Sequence, residues 1–137
     1  MLRRALYWGS TGLLAALSVF AAFSYLTAAP QAVEGFTHVG YPQQLRVLLG
    51  LAKLAGALVL VVPRLPKLKE WAYAGFTFAW VAAFFAHYLA GDGAESAMPV
   101  VLLVFLGISY ATRPPDRRWQ LTAAVPSGSV PRPAVNP

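Results

Sequence analysis

No cysteine occurs in the 137 residues. That excludes disulfides, thiolate metal sites and cysteine redox chemistry, and it leaves the compartment open. Charge is scarce as well: charged residues make up 12% of the chain and hydrophobic residues 58%. A soluble domain carries about 25% charge, because its surface must face water. This chain has too little to coat a soluble globule of its size, so its solvent is lipid. Acids are the rarest charge, 5 against 11 Lys and Arg, which leaves a net charge of +6. Nucleic-acid binding is not expected from that excess, because basic residues also gather at the cytoplasmic ends of membrane segments. A Gly-rich phosphate loop, paired helical histidines for zinc and a nucleophile elbow are all missing. No metal site is expected.

What is present is apolar length. A helix needs about 20 mostly apolar residues to cross the hydrocarbon core. Four runs qualify, at about 5–29, 44–62, 71–90 and 98–112. Arg3 and Arg4 precede the first run in the manner of a signal peptide. Three more runs follow, so it reads as a first membrane helix, ended by Pro30. Pro63 stops the second, Gly91-Asp92-Gly93 turns the chain after the third, and Pro114-Pro115 stops the fourth. The fourth run is short and is expected to start a few residues early. The expected fold class is therefore all-α: an integral membrane four-helix bundle, up-down-up-down, spanning residues 1–118.

Loop charge sets the orientation. Arg3, Arg4, Arg64, Lys67, Lys69, Arg113, Arg117, Arg118 and Arg132 all fall on one side of such a topology. The other two loops hold Glu34, Asp92 and Glu95, and no Lys or Arg. The positive-inside rule then predicts both termini in the cytoplasm. Trp8, Tyr25, Tyr41, Trp71, Tyr73, Tyr88 and Trp119 lie near segment ends, where amphipathic rings meet the interface. Residues 119–137, rich in Pro and Ser, lack periodicity and are expected to be disordered.

A few polar groups sit where lipid penalises them. Lys53 lies mid-helix, at a cost of at least about 2.5–3.5 kcal/mol, so it should face a protein interior or a wet cavity. Arg46, two turns earlier, shares its stripe, near enough to the end to snorkel. Gly50 and Gly56 flank the stripe and leave room for close packing or a ligand. In the loop after the first run, Glu34 and His38 are four apart and share a face if that stretch is helical. On the third run Tyr73, Thr77, Trp80, Phe84 and His87 recur on one face. Glu34, His38, Arg46, Lys53 and His87, with Trp80 beside them, are expected to converge on an outward-facing polar pocket. Asp92 and Glu95 read as solvated loop charges, and Ser109 and Tyr110 as local backbone and interface contacts. A haem on the two histidines is not expected, since one of them lies in a loop.

Three stretches carry a resemblance: Gly35-Phe-Thr-His-Val-Gly-Tyr-Pro42, Leu48-Leu-Gly-Leu-Ala-Lys-Leu-Ala-Gly-Ala57 and Pro66-Lys-Leu-Lys-Glu-Trp-Ala-Tyr-Ala-Gly-Phe76. Together they resemble the DoxX-like family of small bacterial membrane proteins over about residues 7 to 114. The resemblance implies a four-helix membrane bundle in a bacterial inner membrane, with Lys53 and His87 as polar pocket positions. The wider DoxX group takes its name from a membrane subunit of a thiosulfate:quinone oxidoreductase, and other members look like partners of oxidative-stress enzymes. The expected function is thus a non-catalytic membrane subunit of a redox or oxidative-stress complex. The alternative is a protein that binds a quinone or another small molecule in the outer pocket. Expected partners are membrane lipid and a second membrane or redox protein, or a second copy of the chain. Relatives often carry an acidic residue where this chain has Ala79, a departure that leaves Lys53 without an acidic partner in the membrane.

Overall fold

The computed structural model describes residues 1–119, so the expected disordered tail lies almost wholly outside the described residues. The helices are α1 (Leu2–Leu26), α2 (Pro30–His38), α3 (Gln43–Val61), α4 (Pro66–Ala90) and α5 (Ala97–Thr112). Short 3-10 turns at Gly93–Ser96 and Pro115–Arg117 bracket α5. Four segments are long and apolar enough to cross a membrane: Leu2–Leu26, Gln43–Val61, Pro66–Ala90 and Gly93–Thr112. The expected early start of the fourth span is the 3-10 turn.

Two boundaries differ from the sequence reading. Pro30 does not end α1. The chain leaves α1 at Leu26, turns through Ala28 at φ 53°, and Pro30 opens α2. Proline suits a first helical position, because its absent N–H is unpartnered there in any case. The expected loop is therefore a nine-residue helix. In the same way Pro66 opens α4, so this span starts five residues before Trp71. At its far end Gly91 takes φ 83°, and the Asp92 N–H bonds back to the His87 carbonyl. This left-handed cap needs glycine and turns Asp92 back over the last turn of α4.

The long helices alternate in direction. The start of α1 meets the end of α5, where Arg3 donates to the Arg113 carbonyl. The start of α4 meets the end of α3, where Lys69 donates to the carbonyls of Val59, Leu60 at 2.9 Å and Val62 at 2.5 Å. A core of Leu14, Leu60, Tyr73, Phe76, Trp80 and Leu106 joins them. Most other large apolar side chains point outward, Phe20 at 71%, Phe78 at 76% and Leu89 at 80% exposure among them, as a lipid-facing surface requires.

Candidate functional site

The site lies along the seam of α3 and α4, near the end that α2 covers. Small residues make it. Ala79, Ala82, Ala83 and Ala86 repeat along one face of α4, too short to reach α3, and a cavity of about 280 Å³ remains. Leu45, Leu49 and Lys53 form the α3 wall, Tyr25 closes the α1 side, and His87 stands near the mouth. Ala32, Gly35 and Phe36 of α2 form the roof. Phe36 is buried there, edge-on to Tyr25 with ring centres 5.0 Å apart, which fixes α2 on the end of α1. Gln43 ties α2 to α3 by donating to the Val33 carbonyl and to Thr37 Oγ1.

Lys53 has no hydrogen-bond or acidic partner among the described residues. Its ammonium instead lies 5.9 Å from the Tyr25 ring centre and 5.8 Å from that of Trp80. Each such contact offsets about 0.5–2 kcal/mol of the burial cost of a cation. Two of them do not reliably offset the whole cost. The chain therefore holds an incompletely compensated positive charge against an open cavity. Ala79, where an acid would pair with it, lines the same space.

Near the mouth, Asp92 joins two histidines. One carboxylate oxygen lies 2.5 Å from His38 Nε2 and the other 2.5 Å from His87 Nδ1. The Asp92 side chain is only 10% exposed, so it is not the free loop charge expected of it. Its hydrogen bond to His38, then that to His87, holds the Asp92 carboxyl below its ordinary value of 3.8. In turn the Asp92 bond raises His38 above its ordinary 6.5, aided by the charges of Asp92 and Glu95. With Nδ1–H donating to Asp92, His87 Nε2 is left without a protein partner among the described residues.

The expected convergence of polar groups is thus partial. Lys53 and His87 line the cavity; Glu34, His38 and Arg46 do not. Glu34 faces outward on α2. His38, 56% exposed, reaches the site only through Asp92. Arg46 leans toward the outer end as expected but does not reach solvent: it is buried, its Nε donates to Gln43 Oε1 at 2.7 Å, and its Nη1 lacks a partner among the described residues. That bond, one turn back along α3, draws the guanidinium toward the outer end and away from Lys53. Trp80 is a core residue that presents its ring to Lys53.

A second polar cluster, at the opposite end, went unread in the sequence. Ser109 is fully buried, not a local surface contact, and its Oγ lies 2.7 Å from both Thr11 Oγ1 and the Tyr73 hydroxyl. Tyr73 is accordingly a core ring rather than an interface ring. Arg113 pairs with Glu70 at 2.7 Å and lies over the Tyr73 and Tyr110 rings. Arg117 joins Lys69 at the end of α3, donating to Val61 at 3.0 Å. The last carbonyls of a helix lack intrahelical partners and carry partial negative charge, so cations belong there. This cluster holds helices together, and its charges are paired or bound to carbonyls; two hollows beside it, of about 430 and 660 Å³, are lined by Glu70 and Tyr110, the first with Tyr73 and the second with Arg113.

Fold and site together define a small multi-pass membrane protein with a half-enclosed cavity and a half-buried cation on its wall. The chain belongs to the DoxX-like family, whose profile matches residues 9–109. Comparison with curated proteins and with solved structures finds no match. Among the described residues no group of three or more His, Asp or Glu is placed to hold a metal ion.

Proposed function

We propose that this protein binds a small, mostly apolar molecule in the α3–α4 cavity, with an anionic or hydrogen-bond-accepting head group against Lys53. One observation carries the reading: a mid-membrane ammonium, without an acidic or hydrogen-bond partner among the described residues, beside a space lined by alanines. A carbonyl or carboxylate brought to that ammonium supplies the missing partner, in a setting where low polarity strengthens the contact. A quinone has the required carbonyl, and the redox associations of the wider DoxX group bring that class forward. His87, oriented by Asp92, has a ring nitrogen unpartnered among the described residues, with which to take or return a proton on the ligand. We place both termini and the basic cluster in the cytoplasm of a bacterial cell and the cavity toward the outer face, on the distribution of loop charge.

Thermal unfolding in mild detergent tests this. A decyl-substituted benzoquinone should stabilise the wild-type chain, as any ligand selective for the folded state does. Lys53→Met should abolish that stabilisation. Equal stabilisation of both chains would remove Lys53 from the site. Stabilisation of neither, with a redox protein purifying alongside in stoichiometric amount, would favour the docked-subunit reading drawn from the family.

A further inference from the structure

The cavity beside Lys53 does not end there. A second cavity, about 320 Å³, continues along the same seam toward the opposite end of the bundle. Leu49, Lys53 and Ala79 line both spaces. Along α4 the lining residues run Leu68, Ala72, Gly75, Ala79, Ala82, Ala86, three or four apart, which is one helix face. From Leu68 to Ala86 that face extends about 27 Å at 1.5 Å per residue, close to the thickness of the hydrocarbon core. On α3 the run is Leu45, Leu49, Ala52, Lys53, Gly56 and Val59. The lower half is open at its side: Ala52, Ala55, Leu68, Trp71 and Gly75 are exposed, and within a span exposure means contact with lipid.

We infer that the ligand of this site is a single-chain amphiphile, its head beside Lys53 and its hydrocarbon chain laid in the α3–α4 groove toward Trp71. This rests on the reading of Lys53 as the head-group contact. Charge and shape agree on it. The upper cavity holds the cation and the histidine. Apart from Lys53 at its upper limit and the indole N–H of Trp71, the residues lining the lower groove are apolar, and it suits a chain rather than a second head. A groove open to the hydrocarbon lets such a molecule enter sideways from the bilayer without passing α2. Because lipid is as apolar as the groove, the chain gains little by moving from the bilayer into it, and selection works through fit.

Gly75 offers the test. A Cβ built there meets no atom within 4 Å, so the backbone leaves room for a side chain to start into the groove. Binding of the decyl-benzoquinone and of its tail-less methyl counterpart is measured, in one detergent, for wild type, Gly75→Leu and Lys53→Met. Decanoate and acetate form a second pair, which distinguishes a quinone from a carboxylate head. Comparing each compound between chains cancels its partition into the micelle. Gly75→Leu should weaken the longer member of the binding pair about tenfold, the scale of an overpacking cost of about 1.4 kcal/mol, and leave the short member unchanged. Lys53→Met should weaken both members. If Gly75→Leu affects both members equally, or neither, while Lys53→Met still abolishes binding, the head site stands and the groove assignment falls. If Lys53→Met leaves all binding intact, the underlying reading falls. If Gly75→Leu instead splits an oligomer without any chain-length effect, the groove seats a helix and the inference is overturned.

Discussion

Gly56 of α3 faces Phe76 of α4 so closely that a Cβ at Gly56 would come within 2.8 Å of the Phe76 ring. The ring has little freedom to yield, because it is stacked on Trp80 with centres 5.0 Å apart. Gly56→Ala should therefore destabilise the bundle by about 1–2 kcal/mol, an overpacking cost partly offset by the better helix propensity of alanine. Gly75→Ala, on the same seam but with open space around it, should be neutral or stabilising. Unfolding in a graded detergent mixture compares the two; equal effects would mean that the seam is not packed as described.

Lys53→Met should raise the stability of the ligand-free protein by about 1 kcal/mol. The variant removes an insertion cost of about 2.5–3.5 kcal/mol and gives up two cation–π contacts, each worth about 0.5–2 kcal/mol. A protein that gains stability while losing ligand stabilisation has a functional lysine rather than a structural one. Clear destabilisation by Lys53→Met would identify the cation–π pair as structural.

The Asp92 bridge predicts a pH dependence with a definite sign. His38 is raised by its bond to Asp92, so its contribution is fully present below its ordinary 6.5 and is lost as pH rises through the raised value. Asp92 is lowered, so its contribution is present above 3.8 and is lost as pH falls through the depressed value. The bridge is strongest between pH 3.8 and 6.5. The thermal midpoint should decline on either side of that window, and Asp92→Asn should flatten both limbs. A midpoint with the same pH profile in both proteins would contradict the bridge.

Lys69→Met should cost about 3 kcal/mol and loosen the α3–α4 turn. Three carbonyls at the end of α3 would lose a charged donor, and bonds to charged groups contribute about 1.5–3 kcal/mol each, a sum largely offset because the variant no longer buries an ammonium. Proteolysis at the Val62–Leu65 connection, faster in the variant, would report the loosening; an unchanged rate would mean that Arg117 caps the helix alone.

Ser109→Ala should cost about 0.5–1.5 kcal/mol, the range found for hydrogen bonds between membrane helices. It leaves the Thr11 and Tyr73 hydroxyls, on two further helices, without their shared partner. The double variant with Thr11→Ala should cost less than the two single changes added together, because both remove the same bond. Strict additivity would show that the hydroxyls are not coupled.

Most of the fold was legible because hydropathy and proline placement act locally. Four apolar runs and their stops lie within each segment's own residues, and the spans were found within a few positions. The α2 helix was missed because nine residues are too few to show a strong apolar period, and its proline served equally well as a stop or a start. The site was legible only at Lys53 and His87, whose position inside an apolar run is itself the signal. Asp92 meets His38 across 54 residues, and no local pattern announces that contact. Arg46 was misplaced because a shared stripe does not fix where a long side chain bends, and Gln43 decides it. Lys69, Arg113 and Arg117 were hidden in plain view, since loop charge already accounted for them without reference to the carbonyls they bind.

The absence of an acid at Ala79 has a consequence for what can enter the cavity at all. With a carboxylate there, Lys53 would be one half of a neutral pair and the space would be indifferent to the charge of a visitor. With alanine, the space carries one uncancelled positive charge behind low-polarity walls, and a like charge 4 Å away would meet a repulsion of about 4 kcal/mol even at a moderate effective dielectric. Under the function proposed above, the cavity would work as a sign filter: amines and metal cations turned away, and electron-rich oxygen drawn in before its shape is examined.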